Sequence, residues 1–92
     1  MKLGIKKGII IQKLGESFVA YDNATGMMHE FNETGFAILE GIENRKGKKE
    51  IVKIISKLFS VTAKEASDDF ETFVKLLIKK KIIVEGKTNW GK

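Results

Sequence analysis

The sequence predicts an α+β domain in which three antiparallel strands are followed by three helices, and three observations carry that reading. Apolar residues alternate with a period of two as far as Phe31 and with a period near 3.6 beyond Asn32. A cluster of turn formers, Asp22-Asn23-Ala24-Thr25-Gly26, separates two short β-prone runs. Three strands cannot shield their own apolar face, so the helices have to cover it.

Taken in order, Ile5–Leu14 is rich in isoleucine and broken by Gly8, which predicts one bent or interrupted strand. Ser17–Tyr21 is the second strand and Met27–Phe31 the third, so residues 17–31 form a hairpin. Met27, His29 and Phe31 share one face of the third strand, with Met28 and Glu30 on the other. Asn32 is a good N-cap for a helix reaching about Ile42, with Gly41 and Asn44 helping to end it. A second helix starts near Lys48 and presents Ile51, Val52, Ile54, Ile55, Leu58 and Phe59 as one wide apolar face. Thr62-Ala63-Lys64-Glu65 is a capping box that opens a third helix running to about Lys80. Ile82–Val84 follows as a short extended segment. The expected division is a single domain over residues 1–85 and a polar tail over 86–92 that carries Trp90.

Composition excludes most chemistry. The chain has 92 residues, no cysteine and a single histidine, His29. Thiol nucleophiles, disulfides, iron–sulfur clusters and multi-histidine metal sites are therefore out of reach. No spacing of Ser, Thr, Asp or Glu nominates a base–nucleophile pair, so neither a catalytic nor a metal-binding residue is expected. No apolar run exceeds four residues, far short of the roughly 20 that span a membrane. The start lacks the apolar segment of a signal peptide, and the expected compartment is the cytoplasm.

The net charge of +5 invites a nucleic-acid reading, which the third helix weakens. Glu65, Asp68, Asp69 and Glu71 fill its first half, where a recognition helix would meet phosphates. Lys75, Lys79 and Lys80 fill its second half, the order a helix dipole favours. On a helical wheel Ala66, Phe70, Phe73, Val74, Leu77 and Ile78 form one continuous apolar face. Leu76 widens that band to roughly 200°, beside Asp69 and Lys80. A widened apolar edge flanked by charge is how a groove for an extended peptide would look.

The run from Val19 to Leu39, VAYDNATGMMHEFNETGFAIL, resembles the PqqD family. That pattern is a strand, a turn ending in Gly, a short strand ending in an apolar residue plus Asn, then x-Thr-Gly and an apolar helix. Ile51–Phe59 is similar to the family's second helix, Ala66-x-x-Asp69-x-x-x-Phe73-x-x-x-Leu77 to its third, and Lys81–Val84 to its short ending. The standalone forms that serve lasso-peptide biosynthesis look especially similar in the Asp-x-x-x-Gly turn and in Phe31-Asn32-x-Thr34-Gly35. Two positions depart from the pattern. Phe31 stands where Leu is usual, and the Asp-Gly that closes the first helix reads Glu40-Gly41, with Asn44 and Lys46-Gly47 as the other possible ends.

The resemblance implies a winged helix-turn-helix-like fold and a RiPP recognition element, a non-catalytic adaptor without cofactor. Such domains bind the leader segment of a ribosomally made precursor peptide as an added strand and present it to maturation enzymes, whether leader peptidase, cyclase or radical enzyme. Carried onto this chain, the receiving edge is Met27, Met28, His29, Glu30 and Phe31. The facing helix residues are Asp69, Phe70, Phe73, Leu76, Leu77 and Lys80. Met27, Phe31 and Phe73 are each also explained as plain core. A winged-helix DNA-binding regulator is the competing function, with Lys48 and Lys49 as anchors. A small subunit held constitutively by a partner enzyme is a third.

Overall fold

Gly8 does more than bend a strand. In the computed structural model, which describes residues 2–86, the expected Ile5–Leu14 strand is broken: Ile5 ends one strand, begun at Lys2, and Ile9 starts another in a different sheet. Strand β1 is Lys2–Ile5 and strand β2 is Ile9–Leu14. Gly8 sits at φ +94°, a conformation that an L side chain resists, and the chain turns there. The Ile9 N–H donates to the Lys6 carbonyl at 3.1 Å across this turn.

Strand β3 covers Ser17–Asp22 and β4 covers Met28–Phe31. With β2 they form a three-stranded antiparallel sheet in the order β2-β3-β4. The β2–β3 connection is the two-residue turn Gly15-Glu16, with Gly15 at φ +62°. Met27 is not part of β4. Its carbonyl accepts from the Asp22 N–H at 2.8 Å and closes the hairpin loop, while its side chain is exposed.

Helix α1 is Glu33–Glu43, α2 is Lys48–Phe59 and α3 is Ala63–Lys79. The Asn32 side chain accepts from the Gly35 N–H at 2.8 Å, and the Thr62–Glu65 capping box is complete. Such caps contribute about 1 kcal/mol each. Asn44 caps the end of α1, but Gly41 does not help to stop it. Gly41 is buried inside the helix, where a Cβ would come within 2.7 Å of Ile51 Cγ1, so its missing side chain lets α2 approach.

The last strand, β5 (Ile83–Gly86), pairs antiparallel with β1, Ile5 opposite Ile83 and Lys2 opposite Gly86. The chain is therefore α+β with the expected three-stranded sheet and three helices, and with a second, two-stranded sheet that the sequence did not suggest. Ile38, Leu39, Ile42, Ile51, Ile55, Phe70, Leu77 and Ile83 are buried together, with Ala20 and Ile9 contributed by the sheet. Each large side chain buried in this way stabilises the fold by about 1.5–3 kcal/mol. No helix among the described residues is long and apolar enough to cross a membrane. Of the expected tail, Gly86 ends β5, and residues 87–92 with Trp90 lie outside the described residues.

Candidate functional site: the β4 edge and helix α3

Ladder parity decides which backbone groups β4 offers. The Gly15-Glu16 turn makes Leu14 and Ser17 a hydrogen-bonded pair, and the bonded pairs then alternate to Gln12–Val19 and Ile10–Tyr21. The Asn23 N–H bond to the Gly8 carbonyl at 2.9 Å continues the series. On its other side, β3 bonds β4 through Asp22–Met27, Ala20–His29 and Phe18–Phe31. The N–H and C=O groups of Met28 and Glu30 therefore point away from β3, at the open edge of the sheet.

The side chains run the other way. His29 and Phe31 are half-buried and lie on the face toward the helices, which they share with half-buried Phe18 and fully buried Ala20. Met28, 59% exposed, and Glu30 face outward and line a shallow hollow with Leu14, Ser17 and Val19. Phe31 meets helix α3 directly, its ring 5.5 Å from that of Phe73 in an edge-to-face arrangement, a geometry aromatic pairs favour. Phe73 in turn lies over Gly35.

From Phe73, the helical period puts Asp69, Leu76 and Lys80 on one stripe, at i−4, i+3 and i+7. All three are exposed, Leu76 at 43%. Phe70 and Leu77 are different. Both are core residues, 2% and 0% exposed, and so support the stripe from beneath without offering surface to a guest.

Residues 17–83 match the family model of coenzyme PQQ synthesis protein D (PqqD). The chain belongs to the PqqD family. No curated protein matches it. Two solved structures share the fold of this PqqD domain. A "Lasso peptide synthetase B1 complexed with the leader peptide" superposes with a TM-score of 0.82 at 14% identity, covering 92% of this chain and all of its own. "TbiB1 in Complex with the TbiA(beta) Leader Peptide" superposes at 0.79 with 25% identity, covering 97% of this chain and all of its own.

Within this PqqD domain, sequence reasoning passed over one residue that holds the β4 hairpin in place. Asp22 is 6% exposed, the one buried charged side chain among the described residues. Its carboxylate accepts from the Ala24 N–H at 2.9 Å and pairs with the Lys6 ammonium at 3.2 Å, tying the turn before β4 to the turn before β2. Burial pushes its pKa up, but the Ala24 N–H, the Lys6 charge and the Thr25 N–H outweigh that and hold it below the ordinary carboxylate value. Asp22 as the first residue of the turn cluster was the available signal. No cluster of metal-ligating side chains occurs among the described residues.

Proposed function

We propose that this chain is a non-catalytic adaptor of peptide-modification biosynthesis. It takes the leader segment of a ribosomally synthesised precursor as an added strand on β4, against α3, and presents it to a leader peptidase, cyclase or radical enzyme in the cytoplasm. The observation that carries the reading is the β4 edge. Met28 and Glu30 turn their backbone donors and acceptors outward beside a helix stripe of Asp69, Phe73, Leu76 and Lys80. Strand addition draws affinity from such backbone groups and specificity from side-chain pockets. Membership of the PqqD family and the leader peptides named in both structural neighbours support it.

In this reading the guest's inward side chains rest on Phe31 and Phe73, Leu76 takes an apolar residue, and Lys80 attracts an acidic one. Met27 and His29 flank the groove, while Phe70 and Leu77 hold α3 in position. Titration of fluorescein-labelled leader peptides from candidate precursors tests it by polarisation. Saturable binding in the micromolar range is expected. No binding up to about 100 μM, some 5.5 kcal/mol of affinity, would refute it. Duplex DNA in the same assay separates the regulator reading, which requires binding that falls steeply with salt.

A further inference from the structure

The sheet has a second open edge, on the far side from β4. By the ladder parity established above, Ile11 and Lys13 of β2 are non-hydrogen-bonded partners of Ala20 and Phe18, so their N–H and C=O groups point outward. No backbone bond from either residue to a turn or loop exists among the described residues. Unlike Met28 and Glu30, Ile11 and Lys13 also turn their side chains toward the helices, into a groove of about 660 Å³. Its floor is aromatic, Phe18 and Phe36 with ring centroids 4.8 Å apart, and its far wall is Leu58 and Phe59 at the end of α2. Leu58 is 64% exposed, the most exposed large apolar side chain among the described residues.

The charges lining this groove run against those of the whole chain. Glu33 and Glu40, seven positions apart on one face of α1, form its helical wall. Neither has an ion-pair partner among the described residues. The one cation at the rim, Lys13, has its ammonium 5.6 Å from the centre of the Phe18 ring. In a chain of net charge +5, a free strand edge bordered by an apolar floor and two unpaired carboxylates selects for one kind of guest.

We propose that the β2 edge is a second docking groove, which takes an extended protein segment whose groove-facing residues are apolar and flanked by Lys or Arg. The segment belongs to the maturation enzyme, an assignment that rests on the adaptor reading; the groove itself does not. With guests on opposite edges of one sheet, leader and enzyme bind together and neither displaces the other. The exposed N–H groups of Ile11 and Lys13 argue for a strand as guest, because a docked helix would leave them unpaired.

The test uses the peptide Ac-Lys-Thr-Ile-Thr-Leu-Thr-Lys-NH2 and its counterpart with both lysines replaced by glutamate, titrated into the ¹⁵N-labelled protein. Saturable amide shifts at Ile11, Lys13, Phe18 and Phe36 are expected with the lysine peptide, and roughly tenfold weaker binding with the glutamate one. Ile11→Pro removes an outward donor, and Glu33→Lys with Glu40→Lys reverses the wall without touching the strand. Both weaken the lysine peptide and leave leader binding on β4 unchanged. No saturation by about 1 mM, equal binding of the two peptides, or shifts confined to Met28 and Glu30 would each overturn the proposal. So would a chain that sediments as a dimer in which Ile11→Pro restores the monomer, since β2 would then pair with its own copy.

Discussion

The ring of Phe73 lies so close over Gly35 that a β-carbon there would come within 2.5 Å of its Cζ and 2.7 Å of Cε1. The first turn of α1 thus sets the height at which α3 presents its stripe beside β4. Gly35→Ala forces the ring away from Phe31. Overpacking of this kind costs about 1–3 kcal/mol, offset by up to about 1 kcal/mol of helix propensity. A lower urea midpoint together with altered leader affinity is the expected outcome, and an unchanged affinity would detach Phe73 from the groove.

Adjacent residues of β4 should respond oppositely to proline. Met28→Pro removes a donor that faces the open edge, so the domain stays folded while leader binding weakens by about tenfold, the equivalent of one backbone hydrogen bond. His29→Pro removes a bond of the β3 ladder and destabilises the fold by about 3 kcal/mol. Circular dichroism and the leader titration, run on both variants, distinguish the two effects. The reverse pattern would mean that the guest strand lies elsewhere.

Leu76→Glu tests the helix side of the same groove. The side chain is half in solvent, so stability should change by no more than about 0.5 kcal/mol. Loss of its apolar contact weakens the leader complex by roughly tenfold or more. Thermal unfolding checks the first expectation and calorimetry the second.

The buried carboxylate of Asp22 gives the fold a pH dependence of definite sign. Its folded pKa lies below the ordinary value of 3.8, so the unfolded chain binds the proton more readily. The stabilisation is fully present above about pH 4 and is lost as pH falls through the lower folded value. Asp22→Asn keeps an acceptor for the Ala24 N–H and loses the Lys6 pair. Its stability deficit should be largest near neutrality and shrink on acidification, as read from urea midpoints between about pH 2 and 7. A deficit independent of pH would show that charge plays no part.

Local signals carried most of the fold. The Asn32 and Thr62 caps, the turn from Asp22 to Gly26 and the apolar faces of the helices are each written within a few neighbouring residues, and each is where the sequence indicates. The pairing of Ile5 with Ile83 is not, because it joins the two ends of the described chain and leaves no periodic trace in either. Gly41 illustrates a second limit. A glycine near a helix end reads as a stop, and only the approach of Ile51 from another helix reveals it as a contact.

At the candidate site, the alternation of Met28–Phe31 already separated inward from outward side chains. What it withheld was the direction of the backbone groups, which depends on turn lengths on both sides of β3. Phe70 and Leu77 fall on the same helical arc as Phe73, and only burial tells support from surface. The exposed leucine at position 58 belonged, by periodicity, to an ordinary core face.

Lys2 and Gly86 stand opposite each other across the β1–β5 ladder. Chain entry and exit therefore share one doorway, as in domains that tolerate insertion or circular permutation. Splicing residues 2–86 into a surface loop of a larger host is expected to leave the β1–β5 ladder intact.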